Sequence, residues 1–308
     1  MCFGGDVYSS VDPFATALGY ADGKVSFIGS DEAAKALDPE AIDLGEDFLT
    51  PGFVHAGLIV DDSAPSAADL YAQGFTHVHA IGTAEAVARF AADAPEALSI
   101  VDYPQLDSGS VGSRRASITA ADLLGLEELP ALSLFILVDS DDQLTEVLET
   151  LRADPAHAQR HGYRLRLDFA VPDDQVQALG RSGIAITVDP ARPQPLAQLL
   201  ASGAQVSFSH SETSPWAGVR DAVVGDGGIG ARAAFNAATR FAHRAAGNPE
   251  GGVLAPGADA DIVRWKVERL VVQVADPRVA AWSTDPRSGT PGLPELSPDV
   301  ALPTRVEL

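Results

Sequence analysis

The chain of 308 residues has a single cysteine, Cys2, few aromatic residues and seldom a lysine. One cysteine excludes an intrachain disulfide and a cysteine-rich zinc site. No apolar run is long enough to span a bilayer. The start Met1-Cys2-Phe3-Gly4-Gly5-Asp6 has neither the basic residues nor the apolar stretch of a signal peptide, so a cytoplasmic location is expected. Positive charge is scarce as well: 21 Lys and Arg stand against 43 Asp and Glu, a net charge of −22. Such a chain repels phosphate backbones and anionic lipids, so neither nucleic acid nor a membrane is an expected partner. Most of the carboxylates belong on a solvated surface.

Apolar residues make up 46% of the chain, enough for a large core in one big domain or two smaller ones. The first fifty residues read as short strands. Phe14 to Leu18 and Lys24 to Gly29 flank Asp22-Gly23, the signature of a hairpin turn. From Pro51 the texture changes. Apolar strands over 53–60, 75–81, 97–102, 132–138, 164–169, 184–188 and 205–208 alternate with helical stretches rich in Ala, Leu and Glu. Alternation predicts parallel strands joined by crossovers. Seven strands are countable where a closed barrel of this class has eight, and the gap before Leu132 has room for another. One long helix is predicted from about Gly228 to Ala246. Strand-like pieces follow at 261–265, 270–274 and 279–282.

Three local patterns have bland readings. Asp139-Ser140-Asp141-Asp142 lacks the glycine and distal glutamate of a calcium loop and suits a helix N-terminus. The glycine-rich run Gly225 to Gly230 has no lysine and no preceding Rossmann strand, so it is read as a loop. Ser209, His210, Ser211 and Glu212 bring hydroxyl, imidazole and carboxylate together, but sequence neighbours rarely meet in triad geometry.

Four motifs in order resemble the amidohydrolase superfamily, specifically its amidohydrolase 3 group, over nearly the whole length. They are the opening strands Ala17 to Gly29, the barrel entry Pro51-Gly52-Phe53, the run Ser108-Gly109-Ser110-Val111-Gly112-Ser113-Arg114-Arg115-Ala116, and the return Gly252 to Val263. The resemblance implies a shortened or irregular TIM-type (β/α) barrel over 51–250. It also implies a small β-sandwich built from both chain ends, 1–50 and 251–308. Family chemistry uses a divalent metal held at the C-terminal ends of the barrel strands. At the matching positions this chain carries Gly57 and Ile59, no lysine in 102–107, Leu137, Phe169 and Ser211 or Glu212.

The expectation is therefore a degenerate member without a cofactor: a pseudoenzyme that binds a small molecule or partner at the barrel mouth. A homo-oligomer remains open. The alternative is an active hydrolase of non-peptide C–N or related bonds, with a site rebuilt around His55, His77, His79 and His210 and a divalent metal in that case alone. His77 and His79 alternate along one strand and are the metal candidates. His210, Glu212 and Asp168 are the catalytic candidates. His55, His77, His79, Arg114 and Trp216 are the pocket-lining candidates, Trp216 reading equally well as core.

Overall fold

The computed structural model describes residues 1–106, 114–211, 214–273, 282–283 and 291–308. Ser108 to Ser113 of the serine-glycine motif, the candidate Glu212 and most of the strand predicted at 279–282 lie outside the described residues. The chain divides into two compact units. One comprises Met1–Gly52, Gly230–Ala233 and Pro249–Leu308, the other Phe53–Ile229 and Ala234–Asn248. Among the described residues no helix is long and apolar enough to cross a membrane.

The first unit is made from both chain ends. One four-stranded sheet runs in the order Lys24–Gly29, Ala17–Ala21, Cys2–Phe3, Ile42–Asp43. A second runs Thr304–Val306, Ile262–Lys266, Phe48–Pro51, Asp6–Val7. The predicted hairpin closes through Asp22 and Gly23, both with positive φ (51° and 72°), as a tight turn of this hand requires. Cys2, Val7, Leu18, Val25, Leu44, Leu49 and Leu254 form one buried apolar cluster fed by both sheets. The indole of the buried Trp265 donates to Thr50 Oγ1 at 2.8 Å, so its polar edge is satisfied inside the core.

The second unit is mixed α/β. Its strands are β1 (Phe53–Ile59), β2 (Phe75–Gly82), β3 (Ser99–Pro104), β4 (Arg115–Thr119), β5 (Ser133–Val138), β6 (Arg164–Leu167), β7 (Ala185–Val188) and β8 (Val206–Phe208). All pair in parallel, β1 to β3 in a three-stranded sheet and β4 to β8 in a five-stranded one. A parallel bridge from Gln105 to Ser117 stitches β3 to β4, and Ser117 Oγ donates to the carbonyl of Tyr103. β2, β5, β7 and β8 are almost wholly buried, as expected of parallel strands covered on both faces. Helices start where Ser or Thr can take an orphan N–H: Ser66 accepts from Asp69, Thr83 from Ala86, Thr119 from Asp122 and Ser140 from Gln143. Ser140 thus gives the acidic run 139–142 its helix-start role.

The structure differs from expectation at two places. β4 is the strand not counted, because Arg115, Ser117 and Thr119 alternate with its apolar residues and read as loop. The long helix predicted near 228–246 is broken into Ala231–Ala237 and Arg240–Ala245. The break has a cause: the carbonyl of Ala238 leaves the helical ladder and accepts from Val54 N–H at 2.9 Å.

Removing residues 1–45 deletes Leu18, Val25 and Leu44 from the shared cluster and the Asp6–Val7 neighbour of Phe48–Pro51. The truncated chain is expected to be less soluble, with Ile262–Lys266 cleaved early in limited proteolysis. A soluble monomer as protease-resistant as full length contradicts this.

Candidate metal centre

The interior of the strand array is organised by two arginines on β6. Its sequence, Arg164-Leu165-Arg166-Leu167, alternates guanidinium and leucine, so both cations point to one face. Arg164 is fully buried. Its Nη1 meets His79 Nδ1 at 2.9 Å, and its Nη2 donates to the carbonyl of Ala56 and to Thr187 Oγ1, both at 2.9 Å. The guanidinium stacks 4.1 Å over the Phe135 ring, a favourable cation–π placement. Arg166 donates to the carbonyl of Gly57 and forms a forked pair with the Asp168 carboxylate, with Nη2 to Oδ1 at 2.7 Å.

Ala56 and Gly57 are where β1 breaks register with β2, between the pairs His55–Val78 and Leu58–Ala80. The carbonyls of Ala56 and Gly57 lie in this break. The arginines supply them from a strand that is not a sheet neighbour. Gly57 has a steric reason to be glycine: a Cβ there would lie 3.2 Å from Phe135 Cζ and 3.4 Å from Thr187 Cγ2.

The positions that the resemblance pairs with metal ligands carry no ligating side chain at 57, 59, 137 and 169. Ile59 and Leu137 pack with Val101 on the buried cluster of Ile81, Tyr103 and Phe135. Gly57 offers only its carbonyl, already taken by Arg166. Phe169 offers its carbonyl to Gln194 at 2.9 Å. None of these side chains can coordinate a metal.

The histidines sort into separate sets. His79 is 1% exposed and bound to Arg164. Burial, then the Arg164 charge, holds its imidazole well below the ordinary value. His55 and His210 are both buried, with ring centroids 5.7 Å apart. His55 Nε2 meets the carbonyl of His210 at 3.0 Å, tying β1 to the chain just after β8. Burial, then the charge of Arg166, takes His55 down to about 4. Burial, then His55, holds His210 well below its usual range. Helix Pro215–Val224 closes over His210 through Gly218, where a Cβ would come within 2.6 Å of Nδ1.

The third set is His77 with His243, a residue outside the candidates named from sequence. Their ring centroids are 4.3 Å apart at 73°, and their ligand atoms lie within 4.8 Å of each other. His77 is partly buried and His243 buried. Thr76 Oγ1 stands 3.1 Å from His77 Nδ1. The helix carrying His243 is seated by Ala242, which packs on Val54 and Ala56 of β1, and Val54 is the register partner of His77. A histidine at the end of a helix far along the chain gives no periodic signal.

The remaining candidates fall elsewhere. Trp216 is fully buried, edge-on to Phe53 at 5.0 Å and stacked on Phe235 at 5.4 Å. Arg114 is exposed before the start of β4. Asp168 is held by Arg166 at the end of β6, while the ring of His210 meets Phe75 and Phe208.

No protein-family model matches the sequence, and no curated protein matches it. Solved structures do. An uncharacterized metal-dependent hydrolase from Pyrococcus furiosus aligns with TM-score 0.62 at 11% identity, over 85% of this chain and 98% of that one. N-isopropylammelide isopropylaminohydrolase from Burkholderia multivorans aligns with TM-score 0.64 at 13% identity, over 85% and 91%. Atrazine chlorohydrolase TrzN from Arthrobacter aurescens, complexed with zinc, aligns with TM-score 0.51 at 16% identity, over 87% of each chain. This chain has the fold of the metal-dependent hydrolases. Its structural neighbours are of the amidohydrolase type that the motifs resemble.

The expectation of no cofactor is corrected here. The neighbours are metal-dependent, one holds zinc, and His77 with His243 puts two imidazole donors in coordinating range. The four substituted positions gave a negative signal about one place only. Imidazole is a normal zinc ligand, so this pair fits such an ion where the substituted positions do not.

Two outcomes follow. Arg164→Ala removes the guanidinium that donates to the Ala56 carbonyl and Thr187 and faces His79; a loss of about 3–5 kcal/mol in denaturant unfolding is expected, and a loss under 1 kcal/mol contradicts the bracing role. For pH, His55 titrates lower in the folded chain than in the unfolded one, so the unfolded state takes up the extra proton. Stability is fully present above the unfolded value of 6.5 and lost as pH falls through about 4, by about 3 kcal/mol from this residue. His55→Gln is expected to flatten that part of the stability–pH curve; an unchanged slope refutes the assignment.

Proposed function

We propose that the chain is a metal-dependent hydrolase of non-peptide carbon–nitrogen bonds whose site has been rebuilt on histidines. The observation that carries this reading is where the histidines lie. Of seven in the chain, His55, His77 and His79 are on β1 and β2, His210 follows β8, and His243 sits on the helix packed against β1. The structural neighbours support the bond class, one being N-isopropylammelide isopropylaminohydrolase. A divalent ion in such a site polarises the scissile group and lowers the pKa of bound water. The chain's own part is to present neutral imidazoles. Burial keeps His55, His79 and His210 uncharged, and Arg164 fixes the His79 ring.

A second reading has a specific observation behind it. Ile59, Leu137 and the Arg166–Asp168 pair fill the strand ends where the family's metal would sit. This favours a non-catalytic protein that binds a small molecule there.

Ammonia release from a panel of amino-substituted heterocycles and amides separates the two. Protein loaded with zinc, manganese, iron or nickel is expected to turn over at least one substrate, with loss on chelation and a fall of about 100-fold or more in His77→Ala. Fully loaded protein inert to the whole panel contradicts the hydrolase reading and leaves the binding one.

A further inference from the structure

We infer that a cleft just beyond the C-terminal ends of β6 and β7 binds a small zwitterion, a free amino acid whose carboxylate meets Arg192 and whose ammonium meets Asp226. This goes beyond the hydrolase reading and does not rest on it.

The cleft has a volume of about 200 Å³, below the range of about 300–1,000 Å³ usual for drug-sized ligands, so its guest is small. Three stretches of the second unit line it: the loop after β7, the end of helix Pro215–Val224, and the glycine-rich run that follows this helix. By sequence that run is a plain loop. In the fold it closes one wall. The carbonyl of Gly227 accepts from Ala197 N–H at 2.9 Å. Gly227 has a φ of 75°, and a Cβ there would come 3.0 Å from the Gln194 carbonyl oxygen. Glycine lets the run approach the loop this closely.

The opposite wall is held in shape. Pro190, Pro193 and Pro195 fix three φ angles in the loop after β7. The Asp189 carboxylate accepts from Ala191 N–H at 3.0 Å. The buried amide of Gln194 accepts from Val171 N–H at 3.1 Å and donates to the Phe169 carbonyl at 2.9 Å. It thereby pins this loop to the chain that follows β6. A cleft shaped before its guest arrives loses little conformational freedom on binding.

Charge selects the guest. Arg192 is the one cation among the lining residues, and Asp221 and Asp226 line the cleft with it. Nη1 of Arg192 donates to the carbonyl of Asp168, which anchors the side chain. The Asp168 carboxylate is taken by Arg166. Among the described residues no carboxylate pairs with Arg192, so the rest of its planar fork is open to a two-oxygen acceptor. A simple carboxylate would be drawn by Arg192 and repelled by two aspartates, and the net charge of −22 adds to that repulsion. A simple amine would be drawn by the aspartates and repelled by Arg192. A zwitterion meets both signs at once. Ala191, Leu196 and Val224 supply apolar lining for a short carbon chain between its charges.

The test is isothermal titration calorimetry of the full-length protein at low salt with glycine, β-alanine and γ-aminobutyrate. Acetate and ethylamine are the single-charge controls. At least one amino acid is expected to bind at one equivalent, about tenfold or more tighter than either control. Arg192→Gln and Asp226→Asn should each weaken it by about tenfold or more. Both side chains are exposed, so the melting temperature of each variant should match wild type. Ala191→Phe, which fills the cleft from an exposed position, should abolish binding. Should a variant not fold, wild type decides: acetate or ethylamine binding as tightly as the amino acids overturns the zwitterion. Binding of none of the amino acids, or binding that all three variants leave unchanged, overturns the cleft as a site. No arm uses metal or turnover, so failure here leaves the hydrolase reading standing, and loss of that reading leaves the cleft.

Discussion

The second unit depends on two guanidiniums reaching across its interior. Arg164 and Arg166 come from β6 and donate to the carbonyls of Ala56 and Gly57, at the register break of β1. A buried carbonyl without a partner costs about 1–3 kcal/mol, so the irregular β1 and the arginines stand or fall together. The cost of burying the cation is met in kind. Arg164 has the His79 nitrogen, a carbonyl, a hydroxyl and the Phe135 face around it, while Arg166 has Asp168. A Cβ at 57 would press on the Phe135 ring at 3.2 Å, and a large polar side chain at 59 or 137 would disturb the apolar cluster over Tyr103.

That same charge sorts the histidines. The imidazoles near the arginines, His55 and His79, are held neutral partly by those cations and partly by burial.

Much of the fold was legible in the sequence. The Asp22-Gly23 turn, the barrel entry at Pro51 and seven of the parallel strands could be read because local chemistry determines them: positive φ, apolar runs and N-capping hydroxyls. β4 was not, since Ser117 is a buried polar residue whose partner, the Tyr103 carbonyl, is known only from the fold. The break at Ala238 was hidden because its cause is a hydrogen bond to Val54, far away in the chain. The substituted positions 57, 59, 137 and 169 were readable one by one, but an absence at one place says nothing about donors elsewhere. Arg164 and Arg166 were not singled out, because the β1 carbonyls they bond are known only from the fold. His243 was not, because pairing with His77 is a tertiary fact.

The bracing of β1 by the two guanidiniums is tested most directly by native-state hydrogen exchange of Arg164→Met beside wild type. Amides of Phe53–Ile59 are expected to lose more protection than those of β7 and β8; protection of β1 equal to that of wild type would contradict the bracing.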